Sequence, residues 1–219
     1  MRKVLLWALA AVAAVILVLV VVVAIQPAEF RVTRSATIKA PAPLVFEQVN
    51  NLHNWEAWSP WAKLDPNAEN SFEGPEAGEG AVFRWSGNDE IGAGSMTVTR
   101  SVPHERVHMR LDFERPMPGT ADTEFAFQTQ GDATVVTWTM IGENNFIGKA
   151  MCLVMDIDQM VGSDFEEGLA SMRAIAEAHQ PAEAEAQPAA EPQSPPEVEA
   201  QPRGEIKQSI ETEQPAETY

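Results

Sequence analysis

Few residues of this 219-residue chain are spaced for catalysis. The four histidines, His53, His104, His108 and His179, are scattered, and no HxxxH, HExxH or His–Asp grouping offers a metal site. Asp156 and Asp158 lie two apart in a stretch of helical periodicity, where that spacing does not share a face, so paired-carboxylate chemistry is not expected of them. Asp112 and Glu114 have the same spacing on the polar side of an alternating segment and read as solvated. Ser59, Ser86, Ser95 and Ser163 lack a GxSxG elbow. Gly92-Ala-Gly94 is an incomplete GxGxxG and reads as a turn. Cys152 is the only cysteine, which excludes an intramolecular disulfide and leaves a small apolar side chain on a helix. Arg100 stands apart. It continues the phase of Met96 and Val98, so it can point inward and orient a ligand carboxylate, or else snorkel to a rim. No catalytic residue, metal or other cofactor is expected.

What the chain offers instead is apolar lining. Phe83, Trp85, Met96, Val98, Met109, Leu111, Phe113, Phe125, Phe127, Trp138 and Met140 share the inward phase of alternating segments, and Met151, Met155 and Phe165 are expected to face them from helices. Trp55, Trp58 and Trp61 add three indoles within seven residues; Trp58 and Trp61 join the expected lining. Such a set either packs as a solid core or surrounds an apolar ligand. The many methionines favour a surface that adapts to irregular apolar shapes.

The elements that position this set follow from periodicity. Ile147, Met151, Val154, Ile157, Val161, Phe165, Leu169, Met172 and Ala176 recur every three or four residues, the stripe of a helix face. Gly162 interrupts the stripe, and Ser163-Asp-Phe-Glu166 resembles a capping box. These signals predict one helix to about Met160, a break at Gly162, and a second helix from Asp164 to Ala178. Phe30 to Ile38 alternates as a strand, and Ala40-Pro-Ala-Pro43 starts a short helix with Val45, Phe46 and Val49 on one side. A second short helix carries Trp55 and Trp58 and stops at Pro60. From Ser71 to Ile141 the period is two, broken by turns at Gly87-Asn88, Pro103, Pro116-Met-Pro-Gly119 and Gln130-Gly-Asp132. Strands joined by short turns predict an antiparallel meander, and with the helices an α+β fold.

Two segments lie outside this pattern. Val4 to Ile25 is 22 residues without a charge, which meets the requirement of about 20 apolar residues for a membrane span. It exceeds the roughly 7–15 residues of a secretory signal, so an uncleaved anchor over residues 1–27 is expected. Arg2 and Lys3 favour a cytoplasmic N-terminus with the domain on the outer side, although Arg31, Arg34 and Lys39 blunt that charge asymmetry. Residues 179–219 collapse to Pro, Ala, Glu and Gln and are expected to be disordered, with a protein partner possible for this acidic tail. The net charge of −17 is distributed as +2 over residues 1–27, −11 over 28–176 and −8 over 177–219. An acidic domain without a basic patch argues against nucleic acid.

The order of elements resembles the START-like helix-grip fold, and specifically the SRPBCC family of polyketide cyclase/dehydrase and lipid transport type. The likeness rests on Ile38-Lys-Ala-Pro41 with Val45-Phe46, on Trp55-Glu-Ala-Trp58-Ser-Pro-Trp61, on Trp85-Ser-Gly-Asn88 with Gly92-Ala-Gly94, and on Met160-Val-Gly-Ser-Asp-Phe-Glu-Glu-Gly-Leu169. The resemblance covers about Phe30 to Ala178. It implies a curved antiparallel sheet of about seven strands wrapped on a long C-terminal helix, here preceded by one transmembrane helix, in a domain over 28–178. It also implies an apolar cavity that takes a lipid or other hydrophobic small molecule. The family has no universal catalytic motif, so no catalytic residue carries over. Membrane-anchored binding of a hydrophobic molecule is the expected function. A cyclase or hydratase on the same fold, and a tethered interaction module with a filled core, are the alternatives.

Overall fold

In the computed structural model, residues 2–179 are described; the expected tail therefore lies outside the described residues but for His179. Helix α1 spans Arg2–Ala24 and strand β1 Glu29–Ile38. Helices α2 (Ala42–Asn50) and α3 (Trp55–Trp58) follow, with short 3-10 turns at Leu52–Asn54 and Pro60–Lys63. The meander comprises β2 (Glu69–Glu73), β3 (Val82–Ser86), β4 (Ala93–Val102), β5 (Arg106–Arg115), β6 (Gly119–Gln130) and β7 (Ala133–Glu143). Helices α4 (Phe146–Cys152) and α5 (Ile157–Ala178) complete the described chain.

All seven strands form one antiparallel sheet in the order β1-β7-β6-β5-β4-β3-β2. Because successive side chains alternate faces, the register defines rows of inward residues. One row runs Arg34, Trp138, Phe125, Val107, and the row one step nearer the start of β1 runs Val32, Met140, Thr123, Met109, Val98. The next, level with the point where the chain enters β1, runs Phe30, Gly142, Ala121, Leu111, Met96, Phe83, Phe72.

Helix α5 lies against β1, and α2 and α3 pack on α5. Its buried side is Gly162, Phe165, Gly168, Leu169, Met172 and Ala176. Trp58, Trp138, Phe125 and Phe165 are fully buried where these layers meet. The Trp138 and Phe165 rings stack with centroids 3.8 Å apart and planes within 5°. Buried indole N–H groups require acceptors. Trp55 donates to the Val49 carbonyl at 3.0 Å, Trp58 to the Gln48 carbonyl at 2.8 Å, and Trp138 to Thr123 Oγ1 at 2.9 Å.

The helical boundaries differ from the sequence expectation. Helix α5 runs unbroken through Gly162, and the break falls earlier, at Leu153–Asp156. Asp156 caps α5, its carboxylate accepting from the Gln159 amide at 3.0 Å. No capping box forms at Ser163: its hydroxyl donates back to the Gln159 carbonyl at 2.8 Å, and Glu166 is engaged by Arg34. The apolar stripe buries one face only from Val161 onward. Val154 and Met160 are exposed.

Candidate functional site

Burial falls across the inner face of the sheet. In the rows of Trp138 and Met109 almost every apolar side chain is sealed by α5, α2 and α3, but nearer the start of β1 it is not. Leu111, Phe113, Phe83 and Trp85 are only partly buried, and Phe72 is 39% exposed. Their rings form a ladder: Phe72 to Phe83 at 5.2 Å, Phe83 to Trp85 at 5.9 Å, and Trp85 to Phe113 at 6.1 Å between centroids. Trp85 is fixed by donation to the Ile91 carbonyl at 3.0 Å. Its ring lies over Gly94, where a Cβ would stand 2.7 Å from the indole. A solvent cleft of about 490 Å³ adjoins this end, lined by Trp85 and Gly94 with polar groups that include Glu69, Arg84, Glu114 and Arg115.

Trp61 is half-buried and meets Trp138 edge-on at 5.9 Å and Phe165 at 6.4 Å. Asp164 stands one helical turn before Gly168, on the flank of α5 that faces Pro60 and Trp58. This carboxylate is half-buried and makes no hydrogen bond or ion pair among the described residues. Burial first, and the neighbouring Glu167 second, raise its pKa above the ordinary carboxylate value.

The expected lining thus divides. Trp58, Met96, Met109, Phe125, Phe127, Trp138, Met140 and Phe165 are packed into the buried cluster, Phe83, Trp85, Leu111 and Phe113 border the open end, and Trp61 is half-buried against Trp138 and Phe165. Three residues lie elsewhere. Arg100 is exposed on the outer face, because a bulge between Val98 and Arg100 shifts the alternation so that Arg100 pairs with His108. Met151 is half-buried and Met155 exposed, since α4 packs on α1 and not on the sheet. Cys152 is likewise exposed.

Sequence reasoning missed three contributors. Phe72 escaped because β2 is short and lacks clear alternation. Asp164 carries no motif. Arg34 is the third: it takes the inward phase of β1 between Val32 and Ala36 and is about one-fifth exposed. Its guanidinium donates to Glu166 at 2.8 Å, to both Asp158 carboxylate oxygens at 3.1 and 3.0 Å, and to the Asp158 and Thr33 carbonyls at 2.9 Å. All five donors of the fork are engaged.

A model of the polyketide cyclase / dehydrase and lipid transport family matches residues 29–177. The chain belongs to this family. The match covers the whole sheet and all of α5 but the last residue, and leaves α1 outside. Among solved structures, protein MLL2253 from Mesorhizobium loti superposes with a TM-score of 0.52 at 12% identity, over 69% of this chain and 99% of that one. Protein Mll3558 from Rhizobium loti gives 0.50 at 19%, over 67% and 96%. The di-domain ARO/CYC StfQ from the steffimycin biosynthetic pathway gives 0.50 at 8%, over 69% of this chain and 51% of that one. At these identities the likeness establishes the shared helix-grip fold. No curated protein matches the chain.

Proposed function

We propose that the chain binds a hydrophobic small molecule or lipid at the open end of its sheet and is held at a membrane while doing so. The observation that carries this reading is the aromatic ladder Phe72–Phe83–Trp85–Phe113. It leaves apolar rings half-exposed on the inner face, where a protein without an apolar ligand gains nothing by keeping them uncovered. The family's lipid transport members and the cyclase StfQ support the ligand class.

The membrane part rests on α1. At 1.5 Å per residue its 23 residues extend roughly 35 Å, enough to cross a hydrocarbon core of about 30 Å. Apart from Val22 and Val23 at its end, its apolar side chains are exposed all round, unlike those of a core helix. A secretory signal passes the same test of length and composition, and the mass of the mature chain distinguishes the two. The proposed organisation is an anchor over residues 1–27, a ligand-binding domain over 28–178 and an acidic tail beyond, with the N-terminus cytoplasmic. An impermeant maleimide added to intact cells should label Asp132→Cys in a Cys152→Ser background if the domain is outside.

Native mass spectrometry of the full chain tests binding. The parent should retain an apolar adduct that Trp85→Ala and Phe113→Ala lose while still folded. A parent that carries no adduct and takes up none from added phospholipid or fatty acid would leave the domain as a tethered interaction module.

A further inference from the structure

We infer that α4, the segment that follows it and the β5–β6 loop form a second membrane contact, seated in the interface of the bilayer that α1 crosses. The inference rests on the anchor reading of α1 and adds a surface to it.

Outside residues 1–25, nine large apolar side chains are exposed among the described residues. Six of them, Phe146, Ile147, Leu153, Val154, Met155 and Met160, fall within residues 146–160, with Val154 as much as 83% exposed. Such clustering does not arise from scattered surface apolars. Charge points the same way. Residues 144–155 contain one lysine and no acid, in a domain where acids outnumber bases two to one. The two acids before Met160 are engaged, Asp156 as the cap of α5 and Asp158 by Arg34. The stretch from Phe146 to Met155 thus carries none of the charges an anionic lipid surface would repel.

Geometry supplies the occupant. Helix α4 packs on α1 where α1 ends, with Lys149 Nζ donating to the Ala24 carbonyl at 3.5 Å and the Asn144 amide to the Ala28 carbonyl at 2.6 Å. The patch therefore begins at the level where the apolar helix stops, the depth at which amphipathic elements settle. Lys149 lies where a lysine can reach phosphate groups while its stem stays among apolar neighbours.

The register brings the loop to the same end. Phe30 pairs with Gly142, Gly142 with Ala121, and Ala121 with Leu111, so the β5–β6 loop projects past the sheet at the end where the chain leaves α1. Met117, at its tip, is 42% exposed. The row that starts at Phe30 also ends at Phe83 and Phe72, so the half-open ladder lies toward the same end. A ligand could then pass between bilayer and sheet without crossing water. The β6–β7 turn at Gly131-Asp132 is at the opposite end of β7, roughly 30 Å away along its 11 residues.

Cys152, the chain's only cysteine, sits in α4 and is exposed, so the test needs no substitution at its main site. The full chain is spin-labelled at Cys152 and reconstituted in vesicles of phosphatidylcholine with a minority of phosphatidylglycerol. Met117→Cys and Asp132→Cys, each with Cys152→Ser, are labelled in parallel. Collision with oxygen and with a water-soluble nickel chelate reports depth, and resistance to carbonate extraction reports the anchor. We expect resistance to extraction, with an oxygen-to-nickel ratio at Cys152 and Met117→Cys severalfold above that at Asp132→Cys. Resistance with a Cys152 label as wet as the Asp132→Cys label would overturn this inference and leave the anchor standing. Complete extraction, or loss of residues 1–25 from the mature chain, would remove the anchor and the inference together. Spin–spin broadening at Cys152 that vanishes on dilution with unlabelled chain would show that a second copy covers α4, and would also overturn it.

Discussion

A Cβ added to Gly162 would overlap the guanidinium of Arg34. Asp158, Gly162 and Glu166 stand four apart on α5 and form one stripe along the helix. The outer two accept from Arg34, and the glycine between them leaves room for the planar fork to lie on the helix surface. The residue that a sequence reader takes for a helix break is a seat for an inward-facing arginine. This clamp ties β1, the strand nearest α1, to the N-terminal half of the grip helix.

Gly162→Ala should therefore change sign with its background. In an unconstrained helix interior the substitution stabilises by about 1 kcal/mol. Here it should lower the melting temperature, because the methyl displaces Arg34 from Asp158 and Glu166. In Arg34→Ala the three atoms nearest the added methyl are gone, and Gly162→Ala should raise the melting temperature. A double-mutant cycle reads the coupling directly. A destabilising Gly162→Ala in both backgrounds would show that the glycine serves something other than the arginine.

The two carboxylates of α5 should respond oppositely to pH. The Arg34 hydrogen bond holds Asp158 below the ordinary 3.8. Its contribution is present above that value and is lost as pH falls through the lower folded pKa. Burial and Glu167 raise Asp164 above 3.8, so its contribution favours folding at lower pH and is lost as pH rises through the raised folded pKa. At neutral pH, Asp158→Asn should destabilise and Asp164→Asn should stabilise. Both differences should vanish in acid, where the native carboxyls are protonated. Because Asp158 is 59% exposed, its effect should also weaken with salt. Thermal melts from pH 3 to 7 at low and high salt measure both; equal signs for the two variants at pH 7 would refute the assignment.

The sheet was legible because its signal is local. Phe83 and Trp85, Val107 to Phe113, and Phe125 and Phe127 alternate strictly, and each segment adopts the strand its period demands. Phe165, Leu169, Met172 and Ala176 likewise announced the buried face of α5. What failed was interruption and partnership. Gly162 is permitted within a helix by Arg34, which lies more than a hundred residues away in sequence, so no local signal reveals it. Arg100 was misplaced by one bulged residue, which reverses every side chain beyond it. Met151 and Met155 followed the helical period, but their face is turned to α1 and outward, a choice made by tertiary packing. The division of the apolar set into sealed and open parts depends on where α5 lies over the sheet, and composition does not encode that. An inward arginine on β1 and two acids eight residues apart on a helix were the readable trace of the clamp.

Truncations should separate the sealed rows from the open ladder. Phe125→Ala and Trp138→Ala empty fully buried sites and should cost about 3–5 kcal/mol each, as in close-packed cores. Trp85→Ala and Phe113→Ala remove half-exposed rings and should cost clearly less, in proportion to the smaller area returned to water. Binding of an apolar fluorescent probe should follow the reverse order, falling for Trp85→Ala and Phe113→Ala at protein concentrations where every variant is folded. Urea melts beside probe titrations decide this. If the ladder variants bind as the parent does, the ligand site is elsewhere.

Removing residues 1–27 should leave a domain that folds but does not stay monomeric. Beyond Ala24, the loss touches little of the core: the sheet begins at Glu29, and the Ala28 carbonyl that receives the Asn144 amide is retained. Val23 is the one residue of α1 that is buried, so the truncated chain should melt cooperatively with a modest loss of stability. Deletion also uncovers the side of α4 that packs on α1, enlarging an apolar patch that already includes Phe146, Leu153 and Val154. The truncated domain should therefore associate with concentration or bind phospholipid vesicles, and Phe146→Ser combined with Val154→Ser should restore a monomer without shifting the melt. Sedimentation velocity and vesicle flotation of the two proteins, beside their melts, separate the outcomes. A truncated chain that never melts cooperatively would show that α1 is part of the fold. One that is monomeric and indifferent to lipid would show that the exposed face of α4 has no affinity of its own for a bilayer.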